Sequence, residues 1–193
     1  MNDYLIALGS NLSFAQLSKV EILEKTLFIM RDLEINIIGV SDWWESRAFP
    51  VGSGPNYING VIKASSKLTP DEALQSLKKI EVFFGRNRSE RWGSRTLDLD
   101  ILDCNSMILP TKVVFMKWLS LSVELQLKRE PSQLILPHPR IQDRLFVLRP
   151  LLEVSPNWVH PVLGKKPQEL IDDSVWMAQD SLKLFGKSKN LFY

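Results

Sequence analysis

The order of apolar patterns in the first half of the chain is the feature that most limits its fold. Short runs rich in β-branched and aromatic residues alternate with two stretches whose apolar residues recur at helical spacing. The four predicted strands cover residues 4–9, 35–44, 57–62 and 96–102. The resulting order β-α-β-β-α-β predicts an α+β domain with a ferredoxin-like core.

Signals for helix ends support the two helices between these strands. In the first, Ser13 is the predicted cap with Gln16 three residues later. The second is predicted to begin after a cap at Thr69 with Glu72 three residues later, and to stop at Gly85. Their apolar stripes consist of Val20, Leu23, Leu27 and Met30, and of Ala73, Leu77, Ile80 and Phe84. Both helices are therefore amphipathic elements of the predicted core.

The second half of the chain gives less distinct patterns. Residues 103–133 fit either an alternating strand or a short helix, and punctuation by serine, glutamate and proline favours the helix. Residues 142–152 are predicted to be helical, and no element is predicted after Asp180. Because neither an internal repeat nor a linker-like composition is present, residues 1–193 are predicted to form one domain. It would carry a C-terminal extension after the core and a flexible tail over 181–193.

Composition argues against several classes of protein. The 24 lysines and arginines nearly balance the 22 aspartates and glutamates, and a net charge of +2 gives no general attraction to nucleic acid or anionic membranes. Each apolar run is interrupted before the roughly 18 residues that a membrane span needs. A single cysteine, Cys104, and an N-terminus without the basic region of a signal peptide predict a cytoplasmic protein.

Two aspartates lie in the fourth predicted strand, where aspartate is uncommon. Strand alternation places Asp98 and Asp100 on one face and Leu97, Leu99 and Ile101 on the other. Carboxylates on one face repel each other unless a cation relieves the conflict. Oxygen ligands at this spacing are typical of magnesium ions that also hold phosphate, while a solvated sheet edge is the other interpretation.

A cationic segment precedes this strand. Residues 85–95 contain Arg86, Arg88, Arg91 and Arg95, with glycines near both ends. Guanidinium groups bind phosphate oxygens through paired hydrogen bonds, and a glycine-flanked loop can close over a ligand. A cationic loop followed by an acidic strand predicts a site for phosphate and magnesium, with an arginine-rich RNA-binding loop as the alternative.

Candidate contacts for a planar substrate lie near the same segment. Trp92 lies within it, and Phe49, Tyr57 and Asn59 flank a loop rich in proline and glycine. Aromatic residues more often belong to a core, whereas the amide of Asn59 can read the donors and acceptors of a heterocycle. His138, between two prolines, is either a solvated loop residue or a group near phosphate. Since the chain has no nucleophile motif, direct transfer between bound substrates is favoured over a covalent intermediate.

Four segments form a recognisable set. They are RWGSRTLDLDI at residues 91–101, YLIALGSN at 4–11, PNYIN at 55–59, and LPHPR at 136–140 with its continuation to Phe146. Together they resemble the 6-hydroxymethyl-7,8-dihydropterin pyrophosphokinase family of folate synthesis. The resemblance covers about residues 4–160 and implies an insertion over about residues 110–131, after the fourth strand.

The resemblance also implies roles for individual residues. Asp98 and Asp100 look like ligands of two magnesium ions, and Arg86 and Arg95 look like catalytic arginines that hold the triphosphate. Further ATP contacts are implied for Glu81, Arg88, Arg91, Ile101, His138 and Arg144. The implied pterin pocket consists of Ser46, Phe49, Tyr57, Asn59, Trp92 and Phe146. For Glu81, a satisfied glutamate at the edge of the core is the other interpretation.

The function implied by the resemblance is transfer of pyrophosphate from ATP to 6-hydroxymethyl-7,8-dihydropterin, giving AMP and the pterin diphosphate. The enzyme would be a monomer with no nucleic-acid or membrane partner. Two alternatives stay open, a ferredoxin-like nucleic-acid-binding module and a non-catalytic sensor of pterin or nucleotide. RNA affinity that survives Asp98→Ala would favour the first, and binding without AMP production would favour the second.

Overall fold

A six-stranded antiparallel sheet organises the molecule. The computed structural model describes residues 1–48, 52–86, 95–173 and 181–188. The strands are β1 (Asn2–Ser10), β2 (Asn36–Val40), β3 (Trp43–Ser46), β4 (Tyr57–Ser66), β5 (Asp98–Cys104) and β6 (Lys183–Gly186). Their order in the sheet is β5-β1-β4-β3-β6, and β2 pairs with β4 beside β3. With β2 and β3 together in the place of one strand, this is the predicted ferredoxin-like arrangement.

Helices cover both faces of the sheet. They are α1 (Lys19–Asp32), α2 (Pro70–Phe83), α3 (Lys112–Leu119), α4 (Val123–Lys128), α5 (Leu145–Val154) and α6 (Pro167–Asp173), with a 3-10 turn at Ile141–Asp143. Alternate residues of β1 divide the core, because Ile6 packs with α1 and α2 whereas Leu5 packs with α5 and α6. Each face of the sheet is therefore closed by its own hydrophobic cluster.

The ends of α2 follow the sequence signals, whereas the start of α1 does not. Thr69 caps α2, its backbone N–H donates to Glu72 at 2.8 Å, and Gly85 ends the helix with a φ of +76°. The predicted cap at Ser13 is wrong, since α1 is capped by Ser18, whose N–H donates to Glu21 at 2.8 Å. Ser18 is the cap in place of Ser13 because it forms a reciprocal capping box with Glu21.

The second predicted strand is divided into β2 and β3. Ser41 lies at the break, where its Oγ accepts the N–H of Val61 at 2.9 Å and its own N–H donates to the Val61 carbonyl at 3.0 Å. Just beyond it, the ring of Trp43 fills the space above Gly60, where a Cβ would lie 2.5 Å from a ring carbon. The strands β2 and β3 therefore both pair antiparallel with β4, and their registers are offset by one residue across the break.

Beyond β5, the structure supports the helical interpretation and adds a strand. Helices α3 and α4 both lie within the 110–131 segment, and the helix predicted over 142–152 is α5 preceded by the 3-10 turn. The expectation of no element after Asp180 is wrong for Lys183–Gly186, which pairs with β3 as β6. Four mostly exposed residues give no periodic signal.

Within the described ranges, every helix is too short or too polar to span a membrane.

Candidate active site

Gly9 lies at the centre of the candidate site, near the end of β1. In the sheet register it stands opposite Asn59 of β4 on one side and opposite Asp98 of β5 on the other. A Cβ on Gly9 would lie 3.5 Å from Asn59 Oδ1, 3.5 Å from the ring of Tyr57 and 4.0 Å from Asp98 Cβ. The missing side chain therefore leaves a gap between an acidic strand and a strand that carries an amide and a phenol.

Asp98 and Asp100 form the acidic side of this gap. Leu97, Leu99 and Ile101 are buried in the core, as strand alternation predicts. The two carboxylates between them keep 26% and 39% of their side chains exposed. The alternation in β5 thus serves two purposes, because one face anchors the strand and the other presents acid to solvent.

Two arginines neutralise Asp98. The Nη1 atoms of Arg86 and Arg95 lie 3.0 and 2.7 Å from the same carboxylate oxygen, Oδ1. Arg86 also contacts Glu81, so it bridges two acids from different elements. The repulsion expected between the aspartates is therefore relieved by guanidinium groups from both ends of the cationic segment.

Asp100 faces a second cationic group and a neutral ring. Arg144 Nη1 lies 3.7 Å and His138 Nε2 3.9 Å from Asp100 Oδ2. Burial, with Arg144 and Arg140 nearby, lowers the pKa of His138 to about 3, so the ring is uncharged at neutral pH. Since its Nδ1 accepts the N–H of Arg140 at 3.3 Å, the neutral ring carries its proton on Nε2 and offers a donor beside Asp100.

The other side of the gap is built on β3 and β4. Asn59 is buried, and its Nδ2 donates to Ser46 Oγ at 3.0 Å and to the Trp44 carbonyl at 3.2 Å. With the amide fixed in this way, Oδ1 lies beside Gly9 as an acceptor. Burial and the carboxylate of Asp98 raise the pKa of Tyr57, so its phenol stays protonated at neutral pH.

Glu81 and Ile101 lie on the core side of β5. Glu81 is 3% exposed, and its Oε1 accepts the N–H of Leu99 at 2.8 Å. Burial raises the pKa of its carboxyl to about 7. Ile101 is 2% exposed in the core cluster, so only its main-chain atoms could meet a nucleoside. The interpretation of Glu81 as a satisfied residue at the core edge fits these contacts.

The remaining predicted residues divide into two groups. Phe146 is half-buried, and the guanidinium carbon of Arg144 lies 5.7 Å from the centroid of its ring. Four others, Phe49, Arg88, Arg91 and Trp92, lie outside the described residues, and their roles stay predictions. Across the described ranges, no group of three or more histidine, cysteine, aspartate or glutamate side chains could hold a metal ion. A metal here would take only part of its ligands from these side chains.

Comparison with known proteins decides the family. Residues 5–156 match the family model of 7,8-dihydro-6-hydroxymethylpterin-pyrophosphokinase (HPPK). The 2-amino-4-hydroxy-6-hydroxymethyldihydropteridine pyrophosphokinase of Synechocystis is 38% identical over 156 residues, which are 79% of this chain and 69% of that protein. The protein of the same name from Aquifex aeolicus is 32% identical over 174 residues, 88% of this chain and 90% of its own length. The chain belongs to the HPPK family.

Solved structures support the fold of this chain. A wild-type HPPK-DHPS structure from Plasmodium falciparum superposes with a TM-score of 0.64 at 16% identity and covers 89% of this chain. The chain spans only 44% of that longer protein. Family membership makes this chain a pyrophosphokinase of folate biosynthesis whose acceptor is the hydroxymethyldihydropterin, as the sequence predicts.

Gly9 is not among the predicted site residues, although the register of β1 places it at the centre of the candidate site. In the sequence, Gly9 is only the last residue of the first predicted strand and a member of the segment 4–11 that carries part of the resemblance. A signal was nevertheless present, because Leu5, Ala7 and Gly9 lie on one face of β1 and become smaller toward its end. Such a gradient on a central strand opens a groove between its neighbours.

Replacing Glu81 by glutamine is expected to change how the stability of the protein depends on pH. The folded protein holds this proton up to a pKa of about 7, against 4.5 for an ordinary glutamate, so the free energy of unfolding falls as pH rises between these values. Glutamine removes that loss, which is at most about 3 kcal/mol. Urea unfolding of both proteins from pH 4 to 8 measures the difference, and a constant difference would contradict the raised pKa.

Proposed function

We propose that this chain transfers the β,γ-pyrophosphoryl group of ATP to 6-hydroxymethyl-7,8-dihydropterin above Gly9. The observation that carries this location is the register of β1, which sets Gly9 opposite both Asp98 and Asn59. Acidic and cationic groups lie on one side of the gap, and groups that can read a heterocycle lie on the other. Donor and acceptor substrates would therefore meet where no side chain separates them.

Two Mg²⁺ ions on Asp98 and Asp100 are part of this proposal. Magnesium commonly uses one or two carboxylates and takes its other ligands from substrate phosphates and water, so a pair of acids without a third protein ligand fits it. When bound, the ions would neutralise the triphosphate and orient the attacking hydroxyl. Both aspartates stand on one rigid strand, which fixes their separation.

The cations around the acid pair are proposed to hold the triphosphate. Arg86, Arg95 and Arg144 carry guanidinium groups that suit phosphate oxygens, and each already lies within 4 Å of Asp98 or Asp100. The Nε2–H of His138 adds a neutral donor on the same side. These groups would stabilise the charge that develops as the bond to the α-phosphate breaks.

The pterin is proposed to lie against β3 and β4. Asn59 Oδ1 would accept a ring N–H, and its amide is held for this by Ser46 and Trp44. The protonated Tyr57 and the half-buried Phe146 supply apolar surface beside it. Phe49 and Trp92 are proposed as further walls by resemblance. A cytoplasmic location and a monomeric state complete the proposal.

An assay that identifies the nucleotide product tests the function directly. Incubation with ATP, Mg²⁺ and 6-hydroxymethyl-7,8-dihydropterin should yield AMP and pterin diphosphate in equal amounts. ADP as the sole product would contradict pyrophosphoryl transfer. Binding of both substrates without any product would instead indicate a sensor, and RNA affinity retained in Asp98→Ala would indicate a nucleic-acid-binding module.

Filling the gap at Gly9 is expected to impair the reaction without impairing the fold. In Gly9→Ala the new methyl group meets its neighbours only at ordinary van der Waals distances, so stability should hold or rise slightly. Because the methyl group occupies space proposed for substrate, kcat/KM for the pterin should fall at least about tenfold. Gly39→Ala is the matched control, since a Cβ there meets nothing within 4 Å. Equal kcat/KM values in Gly9→Ala and Gly39→Ala would contradict the proposal that the reaction takes place above Gly9.

A further inference from the structure

We propose that Asn11 is a positioning residue. It fixes the backbone of Arg95, on one side of the site, relative to Pro55, which lies just before β4 on the other side. The proposal rests on the proposed function, because it concerns how Arg95 is placed for the triphosphate. Asn11 follows β1 directly and is 3% exposed. It would act through its neighbours and not by touching either substrate.

Asn11 holds the backbone of Arg95 at both of its polar groups. Its side-chain Oδ1 accepts the N–H of Arg95 at 2.6 Å, and its own N–H donates to the Arg95 carbonyl at 3.1 Å. The N–H of Leu12 donates to the same carbonyl at 3.3 Å. The residue that begins the approach to β5 is thus fixed in position and orientation by the end of β1.

The same side chain reaches the opposite flank of the site. Asn11 Nδ2 donates to the carbonyl of Pro55 at 3.2 Å, two residues before Tyr57 opens β4. One buried amide therefore joins the cationic side to the pterin side. Since a buried polar group costs stability when its partners are removed, these bonds resist independent movement of the two flanks.

The link matters because Arg95 carries a functional contact. Its Nη1 lies 2.7 Å from Asp98 Oδ1, and Asn11 is hydrogen-bonded to the backbone from which this side chain extends. A shift of that backbone moves the guanidinium group relative to the acid pair. Displacements of about 1 Å at reacting groups can cost about 10²-fold in rate, so a small loss of register should be visible in kcat.

The other end of β1 offers a matched control. Asn2 also donates through Nδ2 to a backbone carbonyl, that of Leu68 at 2.8 Å, and accepts through Oδ1 from Asn105 at 2.8 Å. It therefore resembles Asn11 in residue type and in making one donated and one accepted side-chain bond, and it lies at the opposite end of β1. It lies far from Gly9, so its loss reports only the general effect of removing such an amide.

The experiment compares Asn11→Ala, Asn11→Asp and Asn2→Ala in the AMP assay, with thermal unfolding of each protein. Asn11→Ala should lower kcat about 10- to 100-fold, and Asn2→Ala should leave kcat within about twofold. Asn11→Asp keeps an acceptor for the Arg95 N–H but loses the donor to Pro55. It should therefore recover most of kcat while the KM for the pterin rises. Equal kcat values in Asn11→Ala and Asn2→Ala would overturn the proposal.

A double-mutant cycle with Arg95→Ala shows whether Asn11 acts through that arginine. In the Arg95→Ala background, Asn11→Ala should cause little further loss of kcat, because the guanidinium group that it positions is already absent. Two fully additive losses would overturn the proposal while leaving the proposed function intact. Full turnover in Arg95→Ala alone would instead contradict the role of Arg95 in the proposed function, and with it this proposal.

Discussion

Asp98→Ala is expected to lower kcat by at least about 10³-fold. Loss of a ligand to the proposed metal ions removes charge stabilisation of several kcal/mol from the transition state. It also leaves Arg86 and Arg95 without the oxygen that both contact. Asp100→Ala should show a loss of the same order, since its carboxylate stands on the same face of β5. Rates of AMP formation at saturating ATP, Mg²⁺ and pterin measure the effect.

Isosteric variants on the same strand separate charge from shape. Asp98→Asn keeps the size of the side chain and should retain the defect of alanine. Asp103→Asn is the matched control, because Asp103 is buried at the far end of β5, where it accepts the N–H of Ser106 at 2.9 Å. It should keep kcat within about threefold, as expected for a change outside the site. Near wild-type turnover in Asp98→Asn would contradict a metal-binding role for the carboxylate.

The second large effect is expected for Arg86→Ala, which should lower kcat about 10²- to 10³-fold. Its guanidinium group is proposed to meet the charge that develops on the phosphates, and one such preorganised contact is worth that much. The Kd for the nucleotide without pterin should change less than about tenfold, because the interaction is strongest in the reacting state. Quenched assays of AMP formation measure kcat, and calorimetry with a non-hydrolysable ATP analogue measures the nucleotide Kd.

A distant arginine provides the comparison for Arg86. Arg31 lies in the last turn of α1, so Arg31→Ala removes the same group away from the site. Its kcat and nucleotide Kd should both match the wild type. If Arg86→Ala weakened nucleotide binding and turnover by the same factor, Arg86 would be a binding residue with no special role in the reacting state.

Local signals predicted the elements that local physics controls. Thr69, Glu72 and Gly85 bound α2 as expected, because a capping box and a glycine with positive φ depend only on nearby residues. The alternation through Asp98 and Asp100 likewise placed these acids on one face, since strand geometry alone determines the face of a side chain. The order β-α-β-β-α-β predicted the ferredoxin-like core, and the strand order in the sheet agrees with it.

Other features depend on partners that the sequence does not show. The start of α1 is an exception, because the capping box of Ser18 with Glu21 is a local signal that favours Ser18 over Ser13. The break at Ser41 depends on Val61, twenty residues away, and β6 forms only because β3 presents an edge for it to pair with. Such choices arise from tertiary contacts that override local preference.

The same limit applies to the site. Motif spacing singled out the acids and arginines, but it gave no sign that Arg86 and Arg95 share one oxygen of Asp98. Motif spacing also did not single out Gly9 or Asn11, because their importance comes from what lies beside them in the fold. A sequence motif does not identify a residue whose role depends on its small size or on hydrogen bonds to a distant backbone.

Arg86 and Arg95 both contact Oδ1 of Asp98, so they would compete with a metal ion for this carboxylate. To bind hydrated Mg²⁺ alone through this oxygen, Asp98 would have to give up its ion pairs with Arg86 and Arg95, and the metal would bring no anion to replace the carboxylate. A polyphosphate offers both guanidinium groups replacement oxygens, so the arginines can change partners as the carboxylate becomes accessible. We therefore expect the protein without nucleotide to bind free divalent ions weakly, and to bind them together with the nucleotide.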